Sequence, residues 1–131
     1  MNFTPDMLAK VLDGSKTMTR RPVKQGETLC GLPYVLGTPG ASIEYVRDTQ
    51  GRMKWRRNAV YAVCPGRGKS AVARMRITAI RRERAIDISE ADARAEGFDS
   101  REAFFDKLRA LYGPNVDLTA LYWALTFEVV K

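Results

Sequence analysis

The stretch from Ala120 to Val130 constrains this chain more than any other. It alternates over eleven residues and sets Leu121, Trp123, Leu125, Phe127 and Val129 on one face. A strand that long suits a small barrel whose strands curl round a filled interior. A second alternating run, Ala71 to Ile80, places Ala73, Met75, Ile77 and Ala79 on one face and Arg74, Arg76 and Thr78 on the other, as a half-buried antiparallel strand does. Residues 42–48, the turn Asp48-Thr49-Gln50-Gly51 and Arg52 to Arg57 read as a basic hairpin, and Asn58 to Val63 as a further strand.

Helices fill the remaining segments. Thr4-Pro5-Asp6 opens one over 5–13, with Met7, Leu8, Val11 and Leu12 as its buried stripe. Ser89 caps a second, which ends near Gly97, and Asp99 or Ser100 caps a third over Arg101 to Tyr112. That third helix is expected to bury Phe104, Phe105, Leu108, Leu111 and Tyr112. From Lys24 the chain reads as a long irregular, flexible stretch carrying Gly26, Gly31, Pro33, Gly37, Pro39 and Gly40. The whole is expected to be one α+β domain over residues 1–131, with a basic insertion around 24–57.

Between the first helix and the first strand lies Gly14-Ser15-Lys16-Thr17-Met18-Thr19-Arg20-Arg21, a tight helix-to-strand corner. Strand parity over 17–23 sends Thr17, Thr19 and Arg21 one way and Met18 and Arg20 the other. Lys16 joins Thr19 only if the corner bends it inward. Glu96 also stands out, because it falls in the last turn of its helix, where the dipole disfavours an anion. Glu90 and Asp92 sit in the favourable first turn and need no other explanation.

The chain has no histidine, which removes the commonest general base and every Ser-His or Cys-His pair. Cys30 and Cys64 alone cannot complete a zinc site or a disulfide framework, so no metal or other cofactor is expected, although carboxylate-bound magnesium is not excluded. Catalysis here would run on Lys, Glu, Asp, Tyr or Cys. Residues 1–84 carry 17 basic and 6 acidic groups, whereas 85–131 carry 5 and 9. A basic half of that kind commonly faces phosphate, and Trp55 among the hairpin cations, with Arg74 and Arg76 on the neighbouring strand, offers a surface for stacked bases. Solvated edge strands guarded by charge would leave the same pattern. The turn Pro65-Gly66-Arg67-Gly68-Lys69 lacks phosphate-loop spacing. No apolar run is long enough for a membrane span and Met1-Asn2-Phe3-Thr4 does not begin a leader, so a cytoplasmic location is expected.

Taken together, GxKTxTRR at 14–21, RITxIRRE at 76–83, DISEADARAEGF at 87–98 and the closing Phe127-Glu128-Val129 resemble the ASCH domain. The resemblance implies a PUA-like β-barrel with short helices packed at its openings, and RNA or nucleoside ligands. It also implies an activity, since small ASCH proteins include hydrolases that release acetate from N(4)-acetylcytidine with a lysine, a threonine and a glutamate. By motif these are Lys16, Thr19 and Glu96. Thr17, Arg20, Arg21, Trp55, Arg74 and Arg76 are the expected substrate contacts. An RNA-binding module without catalysis and an ASCH-type ribonuclease are the alternatives. The 24–57 segment departs from the resemblance, because the hydrophobic GDxLxV strand common in the family is missing there or replaced by a longer basic insertion.

Overall fold

The computed structural model describes residues 1–32 and 43–130. Its elements run α1 (Pro5–Asp13), β1 (Met18–Pro22), β2 (Thr28–Leu32), β3 (Ile43–Arg47), β4 (Met53–Arg56), β5 (Val60–Val63), β6 (Ala73–Arg84), a 3-10 turn (Ala85–Asp87), α2 (Glu90–Ala95), α3 (Arg101–Tyr112) and β7 (Leu121–Val130). Among the described residues the strands form two antiparallel sheets, ordered β1-β7-β6-β5 and β2-β3-β4. This is the expected α+β class, but the strand pairings do not link the two sheets into a closed barrel.

The long closing strand lies between β1 and β6, so both its edges are paired. Trp123, Leu125 and Phe127 are buried as the alternation requires, whereas Leu121 is 40% exposed. Tyr122 and Ala124 are buried as well, and Tyr122 on the opposite face clusters with Phe104, Phe105 and Leu108 of α3. On the first face, Trp123 and Leu125 join Val46 and Trp55 from the second sheet, Met75 and Ile77 from β6, and Val11 from α1. Two cores therefore sandwich β7.

β6 continues past Ile80 to Arg84, and its register against β7 shifts between Ile77 and Ala79. The buried positions change parity there, from Met75 and Ile77 to Ile80, as an inserted residue requires. The stretch expected to be irregular from Lys24 holds β2, which pairs with β3 from Thr28↔Arg47 to Leu32↔Ile43. The glycines and prolines at 33–40 lie outside the described residues. Glu27 is buried there, accepting hydrogen bonds from Trp123 Nε1 at 3.0 Å and Lys54 Nζ at 2.8 Å. These bonds tie the second sheet to β7.

Candidate active site

Gly14 makes the corner after α1 possible. It adopts φ +86° and its N–H caps the helix on Val11 O, a conformation glycine takes without steric cost. The chain then turns inward: Lys16 N donates to Lys10 O at 3.0 Å and Thr17 N to Ala95 O at 2.8 Å. The corner is thereby fastened to the end of α2, where Glu96 is the C-terminal cap. Gly97 follows at φ +99°, and a Cβ there would meet Met7 Sδ at 3.1 Å and Lys10 Cδ at 3.2 Å. Close packing of α1 on this turn brings residues 16 and 96 together.

Lys16 and Glu96 are each under 5% exposed. Lys16 Nζ donates to Met18 O at 2.7 Å, Glu96 O at 2.6 Å and Glu96 Oε2 at 3.2 Å. Arg20 takes the other carboxylate oxygen, with Nη1 3.0 Å from Glu96 Oε1. Behind it, Arg20 Nη2 pairs with Glu83 and lies 3.7 Å from Asp92, which also receives Arg81 at 2.7 Å. A chain of alternating charge therefore leads from the surface to Lys16. Burial pulls the Lys16 pKa below the ordinary lysine value, and the nearby cations Arg21 and Lys10 act in the same direction against the opposing attraction of Glu96.

Thr19 shares a face with Arg21, as strand parity requires: Arg21 Nη1 donates to Thr19 Oγ1 at 2.6 Å. The same guanidinium donates to Arg20 O and Asn2 O and lies over the Phe3 ring, 5.6 Å from its centroid. Lys16 and Thr19 are not hydrogen-bonded to each other, because all three ammonium protons are committed elsewhere. Both still line one pocket of about 320 Å³, together with Arg20, Arg21 and Glu96. The rest of its wall is largely apolar: Phe3 and Met7 before and within α1, Phe98 ahead of α3, Phe104 and Leu108 within α3, and Tyr122 of β7.

Several expected contacts lie elsewhere. Thr17 is exposed and faces a separate depression with Leu12 and Phe127. Trp55 is 9% exposed within the core, opposite Val46 in register, with Lys54 Nζ 4.5 Å from its ring centroid, so no base can stack on it as it stands. Arg74 is exposed on β6, and Arg76 is half-buried beside Asn58 O and Glu128, both away from the pocket. Arg20 does line the pocket, but its terminal nitrogens are held by carboxylates. Leu111 and Tyr112, expected in the core, are 59% and 55% exposed and form the pocket mouth with Lys107. Glu83 and Asp92 were not singled out as site residues, and only the unexplained burial of Arg20 reveals their role. Among the described residues no three His, Cys, Asp or Glu side chains gather as a metal site would need, and no helix is long and apolar enough to cross a membrane.

The same architecture occurs in solved structures. A protein from Enterococcus faecalis V583, of the DUF984 family, superposes with a TM-score of 0.58 over 95% of this chain and 69% of its own, at 20% identity. An ASCH domain from Lactobacillus crispatus JV V101 does so with a TM-score of 0.55 over 94% and 69%, at 16% identity. This chain has the ASCH-domain fold. No family model matches the sequence, and no curated protein matches it.

Proposed function

We propose that the protein is an amidohydrolase that removes the acyl group from N(4)-acylated cytidine or a closely related acylated nucleoside. An ASCH-type fold supports either an RNA-binding or a hydrolase module. The observation that favours the hydrolase is the meeting of Lys16, Thr19 and Glu96 in one small pocket. Its volume of about 320 Å³ is at the lower end of small-ligand sites and suits a single nucleoside rather than a polymer track. The residues that would have carried RNA, Trp55, Arg74 and Arg76, do not line it.

The chemistry follows from the proton inventory. Lys16 rests as an ammonium with three acceptors, in a setting where burial penalises its charge. Transfer of one proton to Glu96 Oε2, 3.2 Å away, leaves a neutral amine and a carboxylic acid. The amine then takes a proton from a water that Thr19 orients, and that oxygen attacks the acyl carbonyl; if the Thr19 oxygen attacks instead, the acyl-threonine ester it forms is hydrolysed by a second attack, of water. Arg21 stands beside Thr19 to stabilise the oxyanion. Glu96 returns its proton to the departing exocyclic nitrogen, so cytidine and a free carboxylic acid leave. The apolar wall excludes water and receives the pyrimidine and acyl carbons.

Incubating the protein with N(4)-acetylcytidine and following cytidine release tests the reading. Release that is lost in both Lys16→Met and Thr19→Ala supports it. If micromolar protein releases no cytidine while RNA binding is salt-dependent and survives Thr19→Ala, the binding module replaces it.

A further inference from the structure

Four cations line the pocket, Lys16, Arg20, Arg21 and Lys107, against one carboxylate, Glu96. Glu96 already serves Lys16 through one oxygen and Arg20 through the other. Arg20 is further balanced from behind by Glu83 and Asp92. Arg21 has only neutral acceptors: Thr19 Oγ1, Arg20 O and Asn2 O. Among the described residues no carboxylate comes within 4.0 Å of it. A half-buried guanidinium stays charged, so it gains from an anion brought to it. A second donor is also uncommitted, since Arg20 Nε is buried with no acceptor.

We infer that the pocket is a receptor for a small organic carboxylate, held by Arg21 beside Thr19 with its carbon tail on the apolar wall. The wall decides between anions of similar shape. Phe3, Met7, Phe98 and Leu108 reward an aliphatic or aromatic tail and offer nothing to a strongly hydrated phosphate. The inference deepens the hydrolase reading in one respect and rests on it there: cleavage of an amide with one water yields the amine and a carboxylic acid, whose proton passes to solvent. That acid is then formed next to Arg21 and competes with substrate for the same place. The receptor itself requires only a guanidinium with no carboxylate in contact and the wall beside it.

The experiment titrates the full chain with acetate, butyrate, benzoate and inorganic phosphate at constant ionic strength, following the Thr19 methyl signal by NMR. Butyrate and benzoate are expected to move it at millimolar concentrations and acetate more weakly, with a gain of roughly two- to fourfold in affinity per buried methylene. Arg21→Gln is expected to weaken butyrate at least tenfold, whereas Arg109→Gln, on the far side of α3, leaves it unchanged. Arg21→Lys guards against a folding defect, because a retained charge should keep part of the affinity. A Thr19 signal unmoved by every carboxylate overturns the inference, as does phosphate moving it as strongly as butyrate. Cytidine release that carboxylates do not inhibit sinks this inference and leaves the hydrolase. Carboxylate binding in a protein that releases no cytidine does the reverse.

Discussion

Replacing Glu96 by glutamine is the most direct probe of the buried charge chain. The amide keeps the size of the side chain but removes its charge, and one of its two ends must be an NH₂ group. Lys16 and Arg20 both present donors to that position, at 3.2 and 3.0 Å, so whichever way the amide is turned one donor faces another. Removing one member of a buried ion pair costs about 3–5 kcal/mol, because it leaves a charge without compensation. The lower figure applies here. Arg20 retains Glu83 and Asp92, and Lys16 retains the carbonyls of residues 18 and 96. A loss of about 3 kcal/mol is a large fraction of a typical domain's stability and corresponds to roughly a 10 °C fall in Tm for a chain this long. Urea unfolding with an unchanged slope should report it as a lower midpoint. A loss under about 1 kcal/mol would refute the reasoning, since Glu96 would then not be the counter-charge of a buried lysine.

Two further substitutions separate other links. Lys16 has a pKa depressed in the fold, so the folded chain binds fewer protons than the unfolded one between that value and the ordinary 10.5. Its contribution to stability is therefore fully present above 10.5 and is lost as pH falls through the depressed value. Lys16→Met should flatten this rise in stability with pH, measured as the difference between the two proteins' melting curves, and a parallel pair of curves would contradict the burial of Lys16. Glu27→Ala should cost about 1–3 kcal/mol in chemical denaturation, because it strands Trp123 Nε1 and removes the partner of Lys54; a neutral effect would mean the second sheet is not held to β7 through this carboxylate.

Much of the site was legible because local rules happened to speak about it. The absence of histidine directed attention to lysine, the helix dipole made Glu96 conspicuous, and strand parity placed Thr19 with Arg21, whose side chains are 2.6 Å apart. The same parity could not say that the other face of β1 is covered too. Arg20 is thus buried against Glu96 and Glu83, with its guanidinium 6.0 Å from the Phe104 ring centroid, instead of serving as a free contact. Trp55 misled for a related reason. Cations surround it in sequence, but alternate residues on a strand face apart, and the tryptophan's side is the one that meets β7. Leu111 and Tyr112 carry the right spacing for a core, yet α3 extends past the sheet it covers, and its last turn becomes the pocket mouth. The shifted register in β6 marks its own alternation only by the step from Ile77 to Ile80, which a strict period of two assigns to the wrong face.

The order β1-β7-β6-β5 also has a consequence in time. β5, β6 and β7 follow one another along the chain and can zip as a meander, but β1 must wait for β7, about a hundred residues downstream, before it has an edge to join. Closing a segment that long carries an entropic cost that only the completed sheet repays. On the ribosome, the Lys16 corner emerges early and its counter-charge Glu96 follows eighty residues later, still ahead of the closing strand. A chain cut before Leu121 therefore carries the charged groups of the pocket but has no partner strand for β1 and lacks Tyr122 of the wall.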